Sequence, residues 1–149
     1  MSVKSIGNFE HALHVANEWI KELADQPEIG TEAQAYTILR VVLHCLRDRL
    51  RVDEVAHLSA QLPMLVRGFF FEGWKPPLDE SLASESLPQL LKDVGERLSR
   101  VSDIEPEDAL FLVYDLLYRK LSDGEIKYVD RALPYDLLFP WWARLGRPL

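Results

Sequence analysis

The chain has 149 residues, 48% hydrophobic and 28% charged, with 24 Asp and Glu against 17 Lys and Arg, for a net charge of −7. That balance suits one folded domain, or two small lobes sharing a core, and excludes a disordered chain. The acidic charge disfavours a nucleic acid or an anionic membrane as partner. Cys45, the single cysteine, excludes an intramolecular disulfide. No apolar run reaches the roughly 18 residues of a membrane span, and Glu10, His11, His14 and Glu18 interrupt the region where a secretory signal would lie. These features lead us to expect a cytoplasmic protein without a membrane segment.

Phe9, Leu13, Ala16, Trp19, Ile20 and Leu23 recur at helical spacing, which predicts an amphipathic helix from about 9 to 24 with Asn8 as N-cap. Thr31 is the expected cap of a second helix striped by Ala35, Leu39, Val42, Leu46 and Leu50, read as the longest of the chain. A third helix spans about Asp53 to Leu62, with Val55, Leu58 and Leu62 inward and Pro63 disfavouring continuation. Leu65, Val66, Phe69 and Phe70 predict a short fourth helix that ends near Gly73. Lys75 to Glu80, with Pro76 and Pro77, reads as an extended linker between a first helical repeat at 1–74 and a second at 81–149.

The second half follows the same order. Leu87, Leu90, Leu91, Val94 and Leu98 mark a helix with Ser86 and Gln89 at capping-box spacing, and Pro88 is tolerated in its first turn. Pro106 opens a helix striped by Leu110, Val113, Leu117 and Leu121; Ser122 and Glu125 then cap another carrying Ile126, Val129 and Leu133. A shift of 71 positions lays Leu39, Val42, Leu46 and Leu50 on Leu110, Val113, Leu117 and Leu121, Glu54 on Glu125, and Leu62-Pro63 on Leu133-Pro134. Thr31 to Glu54 is 23 positions and Pro106 to Glu125 is 19, so the second helix of the first half is expected to be about one turn longer. The expected fold is all-α, with two pseudo-symmetric repeats of about four helices packed as one bundle.

Arg49-Leu50, Glu54, Leu58 and Gln61-Leu62-Pro63, echoed by Lys120-Leu121, Gly124-Glu125 and Ala132-Leu133-Pro134, resemble a bacterial family known as domain of unknown function 2267. The resemblance covers roughly residues 30–142. Asp53 stands where that pattern has glycine, and Ala132 where it has glutamine. It implies a cytoplasmic bacterial helical protein without an established activity, and it supplies no catalytic residues.

Several constellations carry two readings. Glu54 and Glu125 are either a carboxylate pair brought together by pseudo-symmetry or first-turn residues opposing a helix dipole, and the second reading explains both position and repetition. Glu54 and His57 have the spacing of a di-metal helix, but Tyr128 occupies the position that would complete such a site. His11, His14, Glu18, His44 and Cys45 permit a zinc reading. Neighbouring His44 and Cys45 point about 100° apart on a helix, however, and Cys45 lies mid-helix, away from an activating N-terminus. Arg40, Arg47 and Arg51 form a stripe suited to an anion or acidic partner, or a solvated face paired with Asp48.

Phe69, Phe70, Phe71, Trp74, Phe139, Trp141 and Trp142 carry more apolar area than a soluble monomer exposes. These rings either close the repeats onto each other or form a dimer or partner surface, for which Trp74 and Trp142, at the outer ends, are the candidates. No phosphate loop or nucleophile elbow is present. The expected function is a non-catalytic protein-interaction or self-association module without a cofactor. The alternative is a metal- or small-ligand-binding protein, or an enzyme, with a cleft between the repeats lined by Glu54, His57, Glu125 and Tyr128.

Overall fold

Punctuation residues set the helix limits. A computed structural model describes residues 6–76 and 87–121. They form α1 (Gly7–Ala24), α2 (Glu32–Arg47), α3 (Val52–Gln61), α4 (Met64–Phe71), α5 (Leu87–Leu98) and α6 (Pro106–Lys120), with no strand among the described residues. The Thr31 side-chain oxygen accepts from the Gln34 amide (3.1 Å), and Gln34 Oε1 accepts from the Thr31 amide (3.2 Å), closing the box that starts α2. Glu54 Oε1 accepts from the Arg51 amide at 2.9 Å and so satisfies a first-turn donor of α3. Leu62 is extended, at φ −83° and ψ 145°, because Pro63 follows it, and α4 starts immediately after that proline. Gly73, at φ +70°, supplies the left-handed residue two positions beyond α4.

Three expected boundaries change. Asn8 lies inside α1, whose N-cap position is Ile6 with no side-chain hydrogen bond. At 18 residues α1 is longer than α2, which has 16 because it stops at Arg47 and a turn carries the chain through Leu50. Against the 15 residues of α6, α2 is longer by one residue, not by one turn. The Ser86 cap, most of the linker, and the helices expected after Leu121 lie outside the described residues.

Ile38, Leu39, Val41, Val42, Leu43, Cys45 and Leu46 are all buried, so the second half of α2 has no solvated face. It is the central helix, packed by α1, α4, α5 and α6. Ala109, Leu110, Leu112, Val113, Tyr114, Leu116 and Leu117 make α6 a second inner helix. The matched stripes Leu39, Val42, Leu46 and Leu110, Val113, Leu117 are buried in α2 and α6, as are Leu50 and Leu121 just beyond the two helices. One continuous core draws on every described helix, so they form a single helical domain. Trp19 and Leu23 of α1 enter that core, whereas Phe9 and Leu13, expected beside them, are exposed. The core stripe of α1 is Ala12, Ala16, Trp19 and Leu23, rotated by one position.

Candidate interaction site

The polar groups expected to bind something are placed first by what they hold together. Arg47 is only 5% exposed. Its Nη1 donates to the carbonyls of Phe70 (2.8 Å) and Glu72 (2.9 Å), and its Nε to Asp48 Oδ1 (3.0 Å). His44 Nε2 lies 2.6 Å from the Phe69 carbonyl, which can only accept, so the ring donates there. The C-terminus of α4 thus has its open carbonyls satisfied by cationic or donor side chains from α2. Arg40 adds an ion pair to Glu72 at 3.3 Å. Burial, helped by the Arg47 and Arg40 charges, holds the His44 pKa below its ordinary 6.5, and the Phe69 hydrogen bond opposes this only in part.

Arg49 is likewise buried. Its Nη1 donates to the Cys45 carbonyl (3.0 Å) and to Asp93 Oδ2 (3.2 Å), joining the end of α2 to α5. Arg97 pairs with Asp93 (3.0 Å) and Asp48 (3.6 Å), closing a network over Cys45. Burial, with Asp93 adding to it, pushes the Cys45 thiol up to about 12 against the opposing Arg97 and Arg49 charges, so it is not a nucleophile at neutral pH.

The predicted basic stripe is therefore divided among three tasks. Arg40 reaches Glu72, Arg47 is committed to α4, and Arg51 pairs with Glu54 (3.1 Å) and Asp53 (3.7 Å) at the start of α3. Glu54 is a capping group and His57 lies on the exposed side of α3; Glu125 and Tyr128 lie outside the described residues. His14 pairs with Glu18 at 3.1 Å on an exposed face of α1, and His11 is also exposed. Among the described residues no three His, Cys, Asp or Glu side chains converge as metal ligands. A cleft of about 380 Å³ between the loops preceding α2 and α6 is lined by Glu28, Asp103, Glu105 and Asp108.

Of the aromatic candidates, Phe69 and Phe70 are buried, Phe71 and Trp74 half-buried against the core, and Trp141 and Trp142 outside the described residues. Phe69 meets Tyr36 edge-on at 5.2 Å, and Phe71 carries Trp74 at 5.5 Å. Among the described residues, exposed large apolar side chains include Met64 (54%) of α4 and a set on the first helix. Ile6, Phe9 and Leu13 are 61%, 58% and 55% exposed along one flank of α1. On the same helix face, Ala16, Asn17 and Ile20 continue into a groove of about 390 Å³ completed by Tyr36, Leu65, Gly68, Phe69 and Glu72. Leu65 is 42% and Tyr36 39% exposed, so the groove wall continues the apolar flank. The spacing of Ile6, Phe9 and Leu13 was visible in the sequence, but membership of the core and of this neighbouring flank differs there by a rotation of about one residue.

No curated protein matches the chain. The family model for an uncharacterized conserved protein, DUF2267, matches residues 16–138. The motif residues inside that match have visible structural work: Arg49 ties α2 to α5, Glu54 starts α3, and Leu62-Pro63 separates α3 from α4. On that match, the chain belongs to the DUF2267 family.

Proposed function

We propose that this protein is a non-catalytic protein-interaction module whose docking surface is the apolar flank of α1 with Tyr36 and Leu65. The observation that carries the reading is the run of Ile6, Phe9 and Leu13, more than half exposed on a helix whose other face is already in the core. Burying side chains of this size on association contributes about 1.5 to 3 kcal/mol each, which gives a partner a reason to bind there. Among the described residues, the arginines and His44 nearest the core are engaged in capping and in joining helices, which supports a docking role for the apolar flank over one for the basic stripe. The module is proposed to work in a bacterial cytoplasm and to be built from two tandem repeats; the buried stripes of α2 and α6 at matched positions support the repeat.

The test is affinity capture from the native organism with the wild-type chain and with a Phe9→Gln, Leu13→Gln variant as baits. The reading expects a protein retained by the wild type and lost by the variant. Equal retention by both baits would move the interaction to another surface and overturn it.

A further inference from the structure

We infer that the occupant of this flank is a second copy of the chain, two protomers packing α1 against α1 across a two-fold axis. The inference rests on the interaction reading above and names its partner. Ile6, Phe9, Leu13, Ala16, Ile20 and Leu23 step alternately by three and four residues, the spacing of a seam that pairs with another helix. Its C-terminal half is satisfied within the chain, where Ala16 and Leu23 are buried; its N-terminal half is exposed. A helix carrying the same spacing complements that exposed half, and a second copy supplies one without any further sequence. In an antiparallel crossing Phe9 lies opposite the partner subunit's Leu13, and the two-fold repeats the contact.

The area agrees with a dimer. At roughly 150 to 250 Å² per large side chain, the exposed fractions of Ile6, Phe9, Leu13, Tyr36 and Leu65 amount to about 400 to 600 Å². A standard interface takes about 800 Å² from each partner, and in homodimers about 65% of it is apolar, or about 500 Å². The charges agree as well. Each protomer carries −7, so copies repel least where the contact is uncharged, and the seam contains no charged residue. His14 stands roughly 80 to 100° around α1 from Ile6 and Leu13, and Glu18 roughly 120° or more, so the exposed His14–Glu18 pair borders the seam without entering it.

Sedimentation velocity with light scattering over about a hundredfold dilution tests this on the full chain. The wild type is expected to show twice the chain mass at the upper end and to dissociate on dilution. The Phe9→Gln, Leu13→Gln variant is expected to be monomeric with an unchanged helical circular dichroism signal. Leu13→Ala, a milder change at the same site, should weaken dimerisation by roughly 10- to 100-fold. Val52→Gln and Val101→Gln, exposed apolar sites off the seam, should dimerise as the wild type does. A wild type monomeric throughout, or seam variants as dimeric as the wild type, would overturn the inference. A monomeric wild type whose seam still captures another protein removes the second copy alone, whereas one that captures nothing removes the interaction reading too.

Discussion

Arg47 shows how a charged side chain becomes structural. A guanidinium in the middle of a bundle is tolerated because its donors meet Asp48 and two carbonyls at the end of α4, where the helix dipole is negative. Replacing Arg47 with Met leaves those carbonyls without a donor, and we expect a loss of about 2 to 4 kcal/mol in urea unfolding. His44 makes the matching prediction in pH. Its folded pKa is below 6.5, so as pH falls below about 6.5 the unfolded chain takes up a proton that the folded ring resists. Its contribution to stability is therefore full above about pH 6.5 and is lost on acidification toward the folded value. His44→Gln keeps a donor toward Phe69 and should flatten that part of the stability curve; parallel curves for wild type and variant would refute the assignment. Neither role was legible in the sequence, where Arg47 belonged to a surface stripe with Arg40 and Arg51. A signal was nevertheless present: Ile38 to Leu46 is apolar on nearly every side, which marks a helix with no solvated face for Arg47 to occupy.

At the scale of the element, the six described helices were legible because periodicity and punctuation agree. Thr31, Pro63 and Pro106 act where the sequence places them, and Gln34 completes the box with Thr31. Thr31→Ala should cost about 1 kcal/mol of stability, measured by thermal or denaturant unfolding. How closely two helices approach was not legible. A Cβ on Gly95 of α5 would stand 2.9 Å from Cγ of Pro106, the first residue of α6. Gly95→Ala should therefore destabilise the protein, although alanine is favoured over glycine in an isolated helix by about 1 kcal/mol. Adding Pro106→Ala relieves the contact, so the double variant should recover stability relative to Gly95→Ala; strictly additive losses would show that the contact is not the cause.

At the scale of the molecule, α2 and α6 form the inside, and α1, α4 and α5 cover them. The all-α class and much of the core were legible because Leu39, Val42, Leu46, Leu110, Val113 and Leu117 lie on single stripes. The proposed interaction surface was less so. The aromatic run Phe69-Phe70-Phe71 drew attention to α4, yet Phe69 and Phe70 fill the core, and among the described residues the most exposed large apolar side chains are Ile6, Phe9 and Leu13 at the first helix and Met64 at the start of α4. Composition marks large rings, but only packing decides which helix face is left over, and on α1 two apolar stripes lie side by side. Ion pairs from Glu22 of α1 to Arg119 (3.5 Å) and Lys120 (2.6 Å) hold the far end of that helix to α6, so its exposed flank is carried on an anchored element.

Amide hydrogen exchange along α1, followed at several protein concentrations, tests the proposed α1-to-α1 contact most directly. Protection over Gly7 to Leu13 is expected to rise with concentration, while protection at the core stripe around Trp19 and Leu23 stays constant. Exchange over Gly7 to Leu13 that is independent of concentration up to the solubility of the chain would contradict it.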